Sequence, residues 1–410
     1  MDQFDLTSRL AADAPAPAPR FTGFPRYNFI GGHNDPALIP LAGLIEAARA
    51  ALSRDGTKLA MYNLSQGPQG YLPLRQFVAG KLATHRGITG SEQDVLITSG
   101  SGQGIDFVNR LLVAPGDTVL IEEFSYAGAI TRARQSGAKV IGLPLDAHGI
   151  RIDALESILT DLDARGIRPK YIYTIPTIQN PTGSILPLDR RQALVALSAR
   201  FGVPIFEDEC YADLLWHGVA APPALRALAP SQVVHIGSFS KSLAPALRLG
   251  YASADWPMLA RMIACKADGG TGAIDQMVAA EYFTHHFTGH IATLSTGLAA
   301  KLAVMQDALA AEFGTAVETW APEGGIFLWM KLPDSVDVRA LVAPALAAGI
   351  AFNPGPEWAV DAEAAKSQLR LCFALPTAQE IREGVAAFAR VCREVTGIPP
   401  RSANIVHPGN

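Results

Sequence analysis

Ser238-Phe239-Ser240-Lys241, with Arg248 seven residues further on, places two hydroxyls and two cations within eleven residues. Such a segment can hold a phosphate, and a lysine placed there can form a Schiff base with an aldehyde. The plainer alternative is a polar loop carrying surface cations. Asp208 ends the apolar run IFED, where a buried carboxylate needs a cationic partner. A pyridinium N–H would serve; a helix cap or a salt bridge is the ordinary alternative. Tyr211, three residues on, can send its hydroxyl to the same place or be a plain amphipathic aromatic. Asn180-Pro181-Thr182-Gly183 is a strong turn string in any protein, and its Asn amide can also donate to a ring oxygen. TSGSGQG (98–104) is a Gly/Ser stretch entering a helix, where backbone N–H groups bind phosphate. It is not a P-loop, because no Lys-Ser/Thr follows, and Ile105 breaks the GxGxxG pattern.

These residues need a scaffold, and the text around them supplies one. DVLITSG (94–100), DTVLIEE (117–123), AKVIGLPL, YIYTIPT (171–177), VPIFEDE (203–209), VVHIGSFS (233–240) and LRLGYASA (247–254) read as strands. Helical segments separate most of them. Continuous apolar strands with helical crossovers predict an α/β fold, a mostly parallel sheet of the seven-stranded type covered on both faces. Ligands of such sheets sit at the carboxyl ends of the strands, where Lys241, Asp208 and Asn180 fall. From about 256 the pattern turns helical, as WPMLARMIACKA, then IDQMVAAEYFTHHF, then IATLSTGLAAKLAVMQDALAAEFG. Short strands (GGIFLWMKL, QLRLCFAL) mixed with helices follow, predicting a smaller α+β domain. The expected organisation is a mobile Ala/Pro arm over 1–25, a segment over 26–49 joining the small domain and covering the site, a large domain over 50–290, a small one over 291–396, and a loose tail over 397–410.

The 410 residues are enough for two or three domains and a sizeable core. With 34 Lys+Arg against 38 Asp+Glu the net charge is −4, which excludes a basic nucleic-acid binder. Cys210, Cys265, Cys372 and Cys392 are scattered, so neither a disulfide framework nor a metal site is expected. With no apolar leader and no membrane-length apolar run, a soluble cytoplasmic protein is expected.

Singly these signals are modest; their order is specific. Gly/Ser loop, Tyr126, Asn180, Asp208, Tyr211, Ser238/Lys241 and Arg248 together resemble the fold-type I pyridoxal-phosphate enzymes, class I/II aminotransferases. The chain looks most like their 2-aminoadipate, kynurenine and valine–pyruvate branch. SFSKSLAPALRLGY is similar to that branch's Schiff-base lysine segment. YNLSQGPQGYLPLRQFVA (62–79), PEGGIFLWMKLP (322–333), FNPGPEW (352–358) and LRLCFA (369–374) extend the likeness over roughly 25–395. The resemblance implies pyridoxal 5′-phosphate as cofactor, with Lys241 as its Schiff-base lysine and proton carrier. It implies that Asp208 pairs with the pyridine nitrogen, that Asn180 and Tyr211 bind the ring oxygen, and that Tyr126 stacks on the ring. Ser101, Gly102 and Gln103 at the helix start, with Ser238, Ser240 and Arg248, would hold the phosphate. Tyr62 would reach the phosphate in a partner subunit, and Arg370 would clamp the substrate α-carboxylate. Amino-acid and 2-oxo-acid substrates and a homodimer with shared sites follow from the same resemblance.

Two stretches depart from the family pattern. Phe29-Ile30-Gly31-Gly32-His33-Asn34-Asp35 has polar residues where an apolar residue and proline usually follow the glycine pair. His33 beside Gly32 is a candidate acid/base or substrate ligand, or part of a solvated turn. Gly102 stands where relatives often carry Gln, leaving room beside the phosphate. The expected function is amino-group transfer between an amino acid and a 2-oxo acid. The alternative is a specialised enzyme with the same cofactor, performing elimination, replacement, carbon–carbon bond formation or oxidation with His33 as an extra group. A regulator's cofactor-binding domain is the least favoured reading, since residues 1–25 are too short for a DNA-binding module.

Overall fold

Seven short β-rich runs, all but the edge strand Lys139–Leu143 buried along their whole length, form one sheet. In chain order they are β1 (Val95–Thr98), β2 (Thr118–Glu122), β3 (Lys139–Leu143), β4 (Ile172–Thr174), β5 (Ile205–Asp208), β6 (Val233–Ser238) and β7 (Gly250–Ser253). Their spatial order is β1-β7-β6-β5-β4-β2-β3. All pairings are parallel except those of β7, which runs antiparallel to both β1 and β6. Every residue of β1, β2, β4, β5, β6 and β7 is buried, as a sheet covered on both faces requires. Helices Ser101–Leu112, Ala127–Gln135 and Trp256–Cys265 cover one face, and Ile152–Ala164 and Leu188–Phe201 lie in the core on the other. The computed structural model describes residues 5–11, 14, 16–18 and 20–399. The expected arm is thus described in part, and the expected tail only as far as 399.

A second, antiparallel sheet comprises β8 (Glu318–Trp320), β9 (Phe327–Lys331), β10 (Asn353–Pro354) and β11 (Gln368–Cys372), in the order β8-β9-β11-β10. Helix Ala378–Thr396 packs on it, started by a capping box between Thr377 and Glu380. Tyr27–Asn28 pairs in parallel with Ile350–Ala351, so the N-terminal segment is stitched to this half.

The break expected at 290/291 falls inside one helix. Ala273–Phe313 runs unbroken for 41 residues. Its first turns pack Met277 and Phe283 into the core beside β1 and β7, and its later turns pack Leu298, Leu302 and Met305 against β9 and β11. Gly289 inside it costs about 1 kcal/mol of helix propensity, a penalty that packing along both halves exceeds. Among the described residues no helix is long and apolar enough to cross a membrane.

Candidate active site

The carboxyl ends of β4, β5 and β6 open onto a cavity of about 310 Å³, closed from the other side by β11 and residues 31–32. Lys241, three residues past β6, is half-buried, and its Nζ donates to the Gly32 carbonyl at 2.7 Å. Residue 32 must be glycine for this approach, because a Cβ there would collide with the ammonium. Burial lowers the Lys241 pKa to about 8, and the nearby Arg370 and Arg248 guanidiniums push the same way.

Asp208 ends β5 and is fully enclosed. Its carboxylate accepts from the Tyr173 hydroxyl at 2.7 Å and the Cys210 amide at 3.1 Å. Both donors are neutral, and burial raises the Asp208 pKa. Arg370 on β11 has the complementary position. Its guanidinium donates to Asn180 Oδ1 at 2.8 Å, Asn353 Oδ1 at 2.9 Å and the Gly31 carbonyl at 3.1 Å. It lies 3.7 Å from the centre of the Trp358 ring, and its Nε has no partner. A buried carboxylate with neutral donors and a buried guanidinium with neutral acceptors thus share one chamber. Each is suited to a charged group from outside the protein.

The third corner is built for an anion. Gly100 caps helix Ser101–Leu112 at φ +81°, and without a side chain it leaves the first-turn N–H groups open. A Cβ at Gly100 would also strike the Arg248 guanidinium, which lies across the loop. Arg248 itself takes a left-handed backbone (φ 53°) after the turn Pro245–Leu247. Ser101, Ser238 and Ser240 complete this corner. Tyr126 faces Trp358 with ring centres 6.2 Å apart, and Tyr211 lies edge-on to Phe327 at 5.0 Å. The Asn180 amide is 3.4 Å from the Tyr211 hydroxyl.

Gly32, Ser101, Gly102, Tyr126, Asn180, Asp208, Tyr211, Ser238, Ser240, Lys241, Arg248 and Arg370 therefore line one cavity. Three expected residues stand apart from its wall. Gln103 turns its side chain away, accepting from the Ser99 amide and the Lys266 ammonium and donating to Asp268. His33 packs edge-on against Phe24, 5.1 Å between ring centres, and its pKa is lowered by partial burial and by the Lys241 charge. Its neighbours are structural: Asn34 donates to the Leu243 carbonyl, and Asp35 caps a turn and pairs with Lys301. Tyr62 is 87% exposed. Cys210, Asn353, Trp358 and Arg132 line the cavity without having been singled out. Cys210 was readable as lying two residues past Asp208, and Asn353 and Trp358 as members of the FNPGPEW phrase; Arg132 carries no motif.

A family model, that of aminotransferase class I and II, matches residues 34–388. The chain belongs to the class I and II aminotransferases. A 2-aminoadipate transaminase of Thermus thermophilus is 33% identical over 372 residues, 89% of this chain and 90% of that protein. Aromatic-amino-acid aminotransferase 1 of Thermococcus litoralis is 29% identical, over 89% of this chain and 87% of that one. The crystal structure of a Thermus thermophilus alpha-aminoadipate aminotransferase, complexed with N-(5′-phosphopyridoxyl)-L-leucine, superposes with a TM-score of 0.83 at 33% identity. It covers 90% of this chain and 93% of its own. The architecture is that of fold-type I aminotransferases, and the chain is an amino-group transferase.

Proposed function

We propose that this aminotransferase works with pyridoxal 5′-phosphate held through Lys241, moving the amino group of an amino acid to a 2-oxo acid. The observation that carries this reading is the pairing of a buried, neutrally hydrogen-bonded carboxylate (Asp208) with an anion corner (Ser101, Ser238, Ser240, Arg248) on either side of Lys241. A pyridinium N–H suits the first and a phosphate the second. When bound, the cofactor supplies a protonated aromatic ring into which the electron pair left by Cα–H cleavage can spread.

The protein's own groups have separate tasks. Asp208 keeps the ring nitrogen protonated. Asn180 and Tyr211 hold the ring oxygen, and Tyr126 covers a ring face. The amides of Ser101 and Gly102, with Ser238, Ser240 and Arg248, retain the phosphate. Gln103 adds its backbone at most, its side chain being engaged elsewhere. Arg370 receives the substrate α-carboxylate, a planar two-point task for which guanidinium is suited. Lys241, as a neutral amine, takes the Cα proton and returns it one position along. Gly32 supplies the carbonyl that orients it meanwhile.

A homodimer fits the surface around Tyr62. Leu59 and Met61 beside it, and Leu41 and Ile45 on the preceding helix, are exposed apolar side chains that a second copy could cover. Tyr62 then reaches the partner's phosphate. The scattered thiols support a cytoplasmic setting.

The test is direct. Purified protein given pyridoxal phosphate develops a visible absorbance band, and borohydride fixes the cofactor on Lys241, read by peptide mass. An amino-acid screen with 2-oxoglutarate or pyruvate then yields new amino and oxo acids. Fixation elsewhere, or a Lys241→Ala variant that still transfers amino groups, overturns the reading.

A further inference from the structure

Arg132 is a cation of the cavity that the roles above leave unused. It projects from helix Ala127–Gln135 onto the first turn of helix Ser101–Leu112. Its Nε donates to Asp106 at 2.8 Å and its Nη1 to the Gly128 carbonyl at 3.2 Å. These two bonds fix the guanidinium plane and leave Nη2 turned toward residue 102. A Cβ on Gly102 would lie 3.1 Å from that Nη2, so a side chain at 102 would crowd the guanidinium. Gly102 and Arg132 both line the cavity, on the same wall as Ser101 and Arg248. Arg248 comes to this corner from beyond β6 and Arg132 from the helix after β2, so a guanidinium lies against Gly100 and another against Gly102 at a helix start that has no side-chain cap.

We propose that Arg132 is a second phosphate-binding arginine, whose Nη2 donates to the cofactor's phosphate through the gap that Gly102 leaves. The proposal rests on pyridoxal phosphate being the cofactor. It assigns a task to the absent side chain at 102, which is to let a guanidinium from the neighbouring helix reach the helix start. Two arginines and open backbone amides suit the charge of a phosphate dianion better than one arginine does.

The experiment compares the affinity of apoprotein for pyridoxal phosphate with that for pyridoxal, which lacks the phosphate. Both are read by the absorbance change on binding, in wild type, Arg132→Ala and Arg132→Lys. A charge-assisted hydrogen bond of ordinary strength predicts a loss of about 10- to 100-fold for pyridoxal phosphate in Arg132→Ala. Pyridoxal affinity should stay within about threefold, and Arg132→Lys should fall between, keeping the charge and losing the fork geometry. Alanine is a good helix former, so Arg132→Ala is compatible with its helix. Equal losses for both ligands would mean that Arg132 only holds the helices together and would overturn the proposal. So would unchanged affinity for both, or a variant whose only defect is a raised KM for the amino acid. If wild type takes up neither compound on Lys241, it is the cofactor reading itself that fails.

Discussion

The Lys241 ammonium has a backbone carbonyl rather than a carboxylate as its acceptor, and this decides its chemistry. Burial disfavours the charged form by more than the neighbouring Cys372 and Cys210 thiols favour it, and no carboxylate pairs with it, so the pKa falls to about 8 from the ordinary 10.5. The charged form is therefore less favourable folded than unfolded. It costs most below pH 8, and stability gained from this group rises with pH between about 8 and 10.5. The same shift makes a nucleophile available near neutrality. The rate at which apoprotein captures pyridoxal phosphate should climb with pH and level off above about pH 8, and Arg370→Met, which removes a neighbouring cation, should move that midpoint upward. A stopped-flow series showing a midpoint near 10 in wild type would refute this. Residues such as Lys241, Asp208 and Asn180 were legible in the sequence because each follows an apolar run that ends at the sheet's carboxyl edge. Arg132 was not, because helical spacing says which face a side chain shares and not which neighbouring helix that face meets. His33 illustrates the converse: its chemistry was legible, but its contact with Phe24 depends on an N-terminal path that spacing does not encode.

At the scale of elements, the strand IFED and the turn after it are held by charges that the chemistry does not use. Glu207 accepts from the Leu225 amide and from His235, while Glu209 pairs with Arg86 and accepts from Thr177. Alternation along the strand sends these side chains away from Asp208, so the same run anchors on one face and serves the cavity on the other. Lys81, on helix Leu72–Arg86, holds both oxygens of Asp213 at 2.8 Å, with side chains 3% and 9% exposed. Burial disfavours the Lys81 charge, but Asp213 outweighs it and keeps the ammonium above its ordinary range. This pair ties the turn carrying Tyr211 to the far helix. Asp213→Ala should destabilise the protein by about 3–5 kcal/mol in urea titration, because Lys81 is left buried without a counter-charge. A loss below about 1 kcal/mol, as for an exposed pair, would show that water reaches it. Lys81→Met with Asp213→Leu should recover much of the loss. The strands of the large sheet were all legible, apolar runs being informative. That β7 runs antiparallel was not, since direction depends on which edge the chain returns to.

For the molecule as a whole, the informative element is the helix Ala273–Phe313. The sequence around Thr288-Gly289 reads as a gap between two helices, and local propensity supports that reading. The continuous helix follows from contacts on both sides of the gap, with Phe283 in one core and Leu294 and Leu298 in the other, which no local rule supplies. Lys301 adds polar ties on the same rod, reaching the Ala374 carbonyl and Asp35. A shared rod should make the two halves melt together. Near-ultraviolet and far-ultraviolet circular dichroism should give coincident thermal transitions, and an early, separate loss of one signal would contradict it.

That rod also sets a mechanical tolerance. At ~1.5 Å per residue it is roughly 60 Å long, so a tilt of about one degree at one end carries about 1 Å of displacement to the other. Lys241 belongs to the half gripped by the rod's first turns and Arg370 to the half gripped by its last. An error of about 1 Å between groups that must meet one substrate can cost on the order of 100-fold in rate. Angular slack in a helix that lines no part of the cavity is therefore a catalytic variable, and substitutions along its buried stripe can act on turnover without touching a substrate.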